Sequence, residues 1–137
     1  AGDANVSLVQ AINDYTTGVI TLDKLYTAPT GGNFSLSQLG DLKGITGLVE
    51  IAVSATNTAK DTINISLKDL LAANDSENNF TFKVTGAKLA DTDVVNVTND
   101  VSGWTKAQTT LNKEYTYTNA KTGQVVTIVA DDTVITA

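Results

Sequence analysis

The side chains able to do chemistry here carry oxygen or amide nitrogen. The 137-residue chain has no His and no Cys. A Ser-His-Asp triad, a Cys-His pair and an ordinary zinc site are therefore excluded. Asp91 with Asp93 and Asp131 with Asp132 form two close acidic pairs. Such pairs suit weak calcium binding, because calcium takes oxygen ligands and accepts backbone carbonyls, but neither has EF-hand spacing. Two carboxylates across a cleft also suffice for glycoside hydrolysis, yet no motif selects a pair, and acids in turns need no role beyond solvation. Gly31-Gly32 and Gly44-Ile45-Thr46-Gly47 lack the Gly-Lys-Ser/Thr of a phosphate loop. The reading is that the chain is not an enzyme and takes no metal and no cofactor.

Amide chemistry is better represented. Six Asn-x-Ser/Thr sequons occur, at Asn5, Asn33, Asn64, Asn74, Asn79 and Asn96, each with a non-Pro middle residue. This is the acceptor pattern for N-glycosylation of extracellular proteins, and composition alone would give roughly half as many.

The elements that must position these groups read mostly as strands. Tyr115-Thr116-Tyr117-Thr118 alternates aromatic and β-branched residues, and Gln124 to Val129 is rich in Val, Thr and Ile. The turn Asn119 to Gly123 between them, closed by Gly, predicts a β-hairpin. Trp104, the one Trp, stands just upstream and is expected to plug a core. Further strands are predicted at Val6 to Ile12, Gly18 to Leu25, Phe34 to Leu36, Leu48 to Thr56, Ile63 to Ile65, Phe80 to Val84, Val94 to Val97 and Val134-Ile135. Ser66 with Asp69 resembles a capping box, and Leu67, Leu70 and Leu71 follow helical spacing, so one short helix is expected to end near Asn74-Asp75. Many short strands and at most one short helix predict an all-β, antiparallel β-sandwich; parallel α/β is disfavoured because crossover helices are missing.

Charge sets the habitat. The formal net charge is −6 and only 18% of residues are charged, which disfavours nucleic acid and anionic lipid as partners. No apolar run is long enough for a membrane span. The small, polar start Ala1-Gly2-Asp3-Ala4 is what signal-peptide removal leaves, and predicts an extracellular, cell-surface protein. Residues 1–13 read as an arm and residues 14–137 as a single domain. Within the arm, Val6, Leu8 and Ile12 line one side of a segment with no hairpin neighbour. Such a segment can pair in its own sheet, or be donated to the next subunit as a head-to-tail contact that propagates into a fibre.

Several motifs recur in a particular order: Gly18-Val19-Ile20-Thr21-Leu22; Ser54-Ala55-Thr56-Asn57-Thr58; Trp104-Thr105-Lys106; Tyr115-Thr116-Tyr117; then Gly123 and Val125 to Val129. This order resembles the TasA/camelysin-like family of secreted biofilm-matrix fibre proteins and their archaeal relatives that form bundling pili. The resemblance implies a jelly-roll-like subunit polymerised by donor-strand complementation, with Val6 to Ile12 as donor. It also implies lateral bundling, a structural role in biofilm or cell adhesion, and no catalysis. The alternative is a surface-layer or adhesin-type domain that binds carbohydrate or a cell surface through an exposed platform of Trp104 and neighbouring Tyr residues.

Overall fold

The computed structural model describes Val9 and residues 20–21, 24–26, 32–40, 42–53 and 60–137, with the side chains of residues 20, 21, 132 and 134 left aside. In chain order the strands are β1 (Ile20–Thr21), β2 (Lys24–Tyr26), β3 (Gly32–Ser35), β4 (Ile45–Thr46), β5 (Glu50–Ala52) and β6 (Asp61–Ser66). Helix α1 (Leu67–Asn74) follows, then β7 (Phe80–Lys88), β8 (Val94–Thr98), β9 (Trp104–Thr110), β10 (Glu114–Asn119), β11 (Val125–Asp132) and β12 (Val134–Thr136). Short 3-10 turns at Leu36–Leu39, Leu42–Gly44 and Leu89–Asp91 fill connections.

Local sequence explains the change from strand to helix at Ser66. Asp61, Ile63 and Ile65 are buried at every second position of β6. The spacing then switches, and Leu67, Leu70 and Ala73 bury one helical face. Ser66 is extended and its hydroxyl accepts from the Asp69 N–H at 3.2 Å, the predicted cap. Asp100 reinforces it from the β8–β9 connection. Its carboxylate accepts from the Ser66 hydroxyl at 2.5 Å and the Lys68 N–H at 2.9 Å. Burial pushes the Asp100 carboxyl up, but these two donors, together with its own backbone N–H and the Lys68 charge, hold the group below its ordinary value.

The strands form a six-stranded sheet ordered β2-β5-β7-β11-β10-β9, a four-stranded sheet ordered β12-β8-β6-β3, and the small pair β1-β4. The predicted hairpin is present as β10–β11, antiparallel with Tyr117 opposite Val126. Its turn is held by Asn119, whose side-chain oxygen accepts from the N–H groups of Lys121 and Thr122, and by Gly123 at φ 76°.

The pairing overturns the expected antiparallel β-sandwich, and the jelly-roll form of it. The four-stranded sheet is parallel throughout, β2–β5–β7–β11 are parallel to one another, and only β9–β10–β11 is antiparallel. The described residues form a mixed, mainly parallel arrangement that includes the eight-residue helix α1. The reason lies in chain order. β5 and β7 are neighbours in one sheet, while β6, between them in sequence, lies in the other. β6 and β8 are likewise separated by β7. Parallel neighbours need a long crossover, usually a helix. Here the crossovers run through strands of the opposite sheet, with α1 added between β5 and β7, so a helix in every crossover is not required for parallel pairing.

Both sheets contribute to one core: Ile63, Ile65, Val95 and Val97 from the four-stranded sheet, and Ile51, Phe82, Val84, Tyr117, Val126 and Ile128 from the six-stranded one. Burying each large apolar side chain is worth about 1.5–3 kcal/mol. A net hydrogen bond is worth about 0.5–1.5 kcal/mol. Burial therefore decides which face of each strand turns inward, and the ladders follow.

Candidate functional site

A subunit that joins others needs either a segment to give or an edge to receive, so these features define the candidate site. Val6, Leu8 and Ile12 of the predicted donor, and the sequon at Asn5, lie outside the described residues. Val9 is described. Its backbone is helical where a strand was expected. It is 3% exposed and belongs to the chain's own core. The arm region thus supplies an integral core contact.

The edges are guarded. β9, the longest, was not predicted as a strand because Thr105 to Thr110 has no apolar alternation and is exposed throughout. It is held by β10, with Tyr117 opposite Lys106 and Thr116 opposite Ala107. The Ala120 N–H donates to the Gly103 carbonyl, so alternation in the ladder turns the backbone groups of Trp104, Lys106 and Gln108 outward. Three features close that row. The Trp104 carbonyl accepts from Asn99 Nδ2 at 3.0 Å. The register shift leaves Thr109 as a bulge. Lys106, though exposed, shares a face of the sheet with Tyr115 and Tyr117, its Nζ donating to the Ala137 carbonyl at 3.0 Å and standing 5.9 Å from the Tyr115 ring. Bulges and inward charges are the means by which edge strands resist pairing with other chains. The other edges are short: β2 and β12 have three residues, β3 four, and the Ile135 N–H is already bonded to the Asn112 carbonyl.

The hairpin aromatics do not make a binding platform. Tyr115 and Tyr117 are buried, and Trp104 packs half-buried against the core. The Tyr117 hydroxyl finds no partner among the described residues, and burial pushes its pKa up to about 12.

Of the predicted acidic pairs, Asp93 has a defined place and its partner is one that sequence reading missed. Asp93 is 2% exposed and Asp61, 32 residues away in sequence, is 3% exposed. One Asp93 carboxylate oxygen accepts from the Asp61 N–H at 2.7 Å and the other from the Lys88 N–H at 2.8 Å. The Thr133 hydroxyl donates to the Asp93 carbonyl. Asp93 therefore ties the starts of β6 and β8 to the end of β7 and to β12. Both of its carboxylate oxygens already accept from N–H groups, the opposite of what a cation needs, and no group of acids among the described residues suits a metal ion.

Asp61 is the strained member. Burial raises its pKa, as do the charges of Asp93 and Asp91, against an opposing hydrogen bond from the Gly32 N–H. A carboxyl raised in the folded state favours folding fully below its unfolded pKa, and loses that contribution as pH rises through the folded value. Asp61→Asn keeps an acceptor for Gly32 and removes the charge. We expect the variant to melt above the parent at pH 7, with the difference closing below about pH 4. Thermal melts from pH 3 to pH 8 check this, and a gap independent of pH refutes the charge account.

The described sequons differ sharply. Asn74 is 5% exposed, and its Nδ2 donates to the Leu48 carbonyl at 3.2 Å. Asn64 and Asn96 are opposite each other on β6 and β8. Asn96 Nδ2 donates to Asn64 Oδ1, and Asn64 Nδ2 to the Phe34 carbonyl. Asn33 and Asn79 are exposed.

No family model matches the chain, and neither does any curated protein or solved structure. No helix among the described residues is long and apolar enough to cross a membrane.

Proposed function

We propose that this chain is an extracellular structural subunit that polymerises head to tail, by donation of its leading segment, into a pilus or biofilm-matrix fibre. The observation that supports this reading is Val9. A residue of the arm fills a slot in the core of its own chain, and the same slot in a neighbour offers the same contacts. Exchange of an identical element between copies costs little beyond the hinge, and when it does not close on itself it yields a fibre. The guarded edge of β9 agrees: addition of a strand along that edge is resisted, which favours a joining segment that enters the core. In the donor-strand form of the exchange, Val6, Leu8 and Ile12 lie extended in the acceptor, and Val9 changes from helical to extended.

Removing residues 1–12 tests it. The truncated chain is expected to lose stability and form no filaments by negative-stain electron microscopy. A peptide of residues 1–12 added in trans is expected to restore folding. Filaments from the truncated chain, or a full chain that stays monomeric at millimolar concentration, sink the proposal.

A further inference from the structure

We propose that Asn33 and Asn79 are the glycan acceptors among the described sequons, and that Asn64, Asn74 and Asn96 are not; the inference rests on the extracellular reading above. The sugar is joined at the side-chain amide nitrogen. A bond forms from Nδ2 to the anomeric carbon of a lipid-linked sugar donor, the donor's phosphate or pyrophosphate leaves, and one amide proton is released. The deciding question is where each Nδ2 sits and what it already holds.

At three sequons the nitrogen is committed. Asn74 Nδ2 is buried against the Leu48 carbonyl, while the Asn74 backbone carbonyl accepts from the Gly47 N–H and the Thr46 hydroxyl. A sugar there has no route to solvent. On the outer face of the four-stranded sheet, Asn64 Nδ2 donates to the Phe34 carbonyl and Asn96 Nδ2 donates to Asn64 Oδ1. Both residues are only partly exposed, and a sugar on either Nδ2 crowds the neighbouring strand, at the Phe34 carbonyl for Asn64 and at Asn64 Oδ1 for Asn96. Chains modified at these positions before folding would have to accommodate the sugar against that strand, so they are depleted from the folded pool.

At the other two sequons the nitrogen is available. Asn33 is exposed on the edge strand β3, and it is the backbone carbonyl of Asn33, not its side chain, that accepts from Gln38 Nε2. Asn79 is exposed just before β7, and its Oδ1 accepts from the Val125 N–H at 2.8 Å. Glycosylation leaves Oδ1 in place, so that bond survives. Among the described residues neither Nδ2 donates to a protein acceptor. A sugar on Asn33 also screens β3, an edge strand among the described residues with no charge of its own.

The test is peptide mass mapping of the full chain secreted from a host that N-glycosylates, with Asn33→Gln and Asn79→Gln variants. Sugar is expected at Asn33 and Asn79, and each variant is expected to lose one glycan's mass. Sugar on the peptides of Asn64, Asn74 or Asn96, or bare Asn33 and Asn79, overturns the assignment. Native material without sugar, alongside filled Asn33 and Asn79 from the secreting host, supports the acceptor assignment and counts against the extracellular reading instead.

Discussion

Gly86→Ala is expected to cost about 2–5 kcal/mol, a large part of the stability of a domain this size. Gly86 has φ 79°, where an L side chain costs roughly 1–2 kcal/mol. The larger contribution is the close approach of β5. A Cβ on Gly86 would overlap the Val53 carbonyl oxygen and lie 3.3 Å from its carbon. Backbone is a poor cushion. Val53 is pinned by its N–H to the Thr85 carbonyl at 2.7 Å, so relief means parting β5 from β7. Gly103→Ala and Gly123→Ala make the control, since both glycines have positive φ, 84° and 76°, with nothing within 4 Å. They should cost only about 1–2 kcal/mol each. Urea unfolding measures all three. Equal losses would show that conformation alone matters at Gly86 and that β5 does not pack there.

Asp93→Ala comes next in size, at about 3 kcal/mol, or roughly 10 °C in Tm. The carboxylate satisfies two N–H groups, of Asp61 and Lys88, in a buried place. Removing it orphans both, at about 1–3 kcal/mol each. Part of the loss is offset because Asp61 no longer faces a second buried charge. That offset makes a sharper expectation: in the Asp93→Ala background, Asp61→Asn should stabilise less than it does in the parent. A double-mutant cycle by thermal melts reads the coupling. Full additivity would mean that the two carboxylates do not sense each other.

The legible parts of the fold were those written in neighbouring residues. Ser66 and Asp69 sit three apart, and the leucines after them keep helical spacing, so α1 could be placed by inspection. Tyr115 to Val129 carries both strands and their turn, so β10–β11 could be paired as well. Partner choice elsewhere was not legible. Alternation in Ile63-Asn64-Ile65 says which side faces inward, but it is silent on the neighbours, Phe34 on one side and Val95 on the other, and on which way they run. β9 was hidden because a strand held by one partner and exposed from Thr105 to Thr110 has no apolar rhythm. Among candidate site residues, the sequons were spelled out, while their difference in exposure depends on folding. Asp61 and Asp93 meet only because β6 and β8 start side by side, and nothing near either residue announces the other.

The alternation of successive strands between the two sheets has a consequence for how the chain can come together. It is woven: β5 and β7 cannot be joined until the chain between them has been laid on the far side, and that far side is itself unfinished until β8 returns. Closing such loops costs entropy before contacts repay it. Among the described strands, neither sheet has a sub-assembly of sequence neighbours large enough to persist alone, apart from the β9–β10–β11 meander. Both halves must therefore solidify in one cooperative event, with the meander as the natural place to begin.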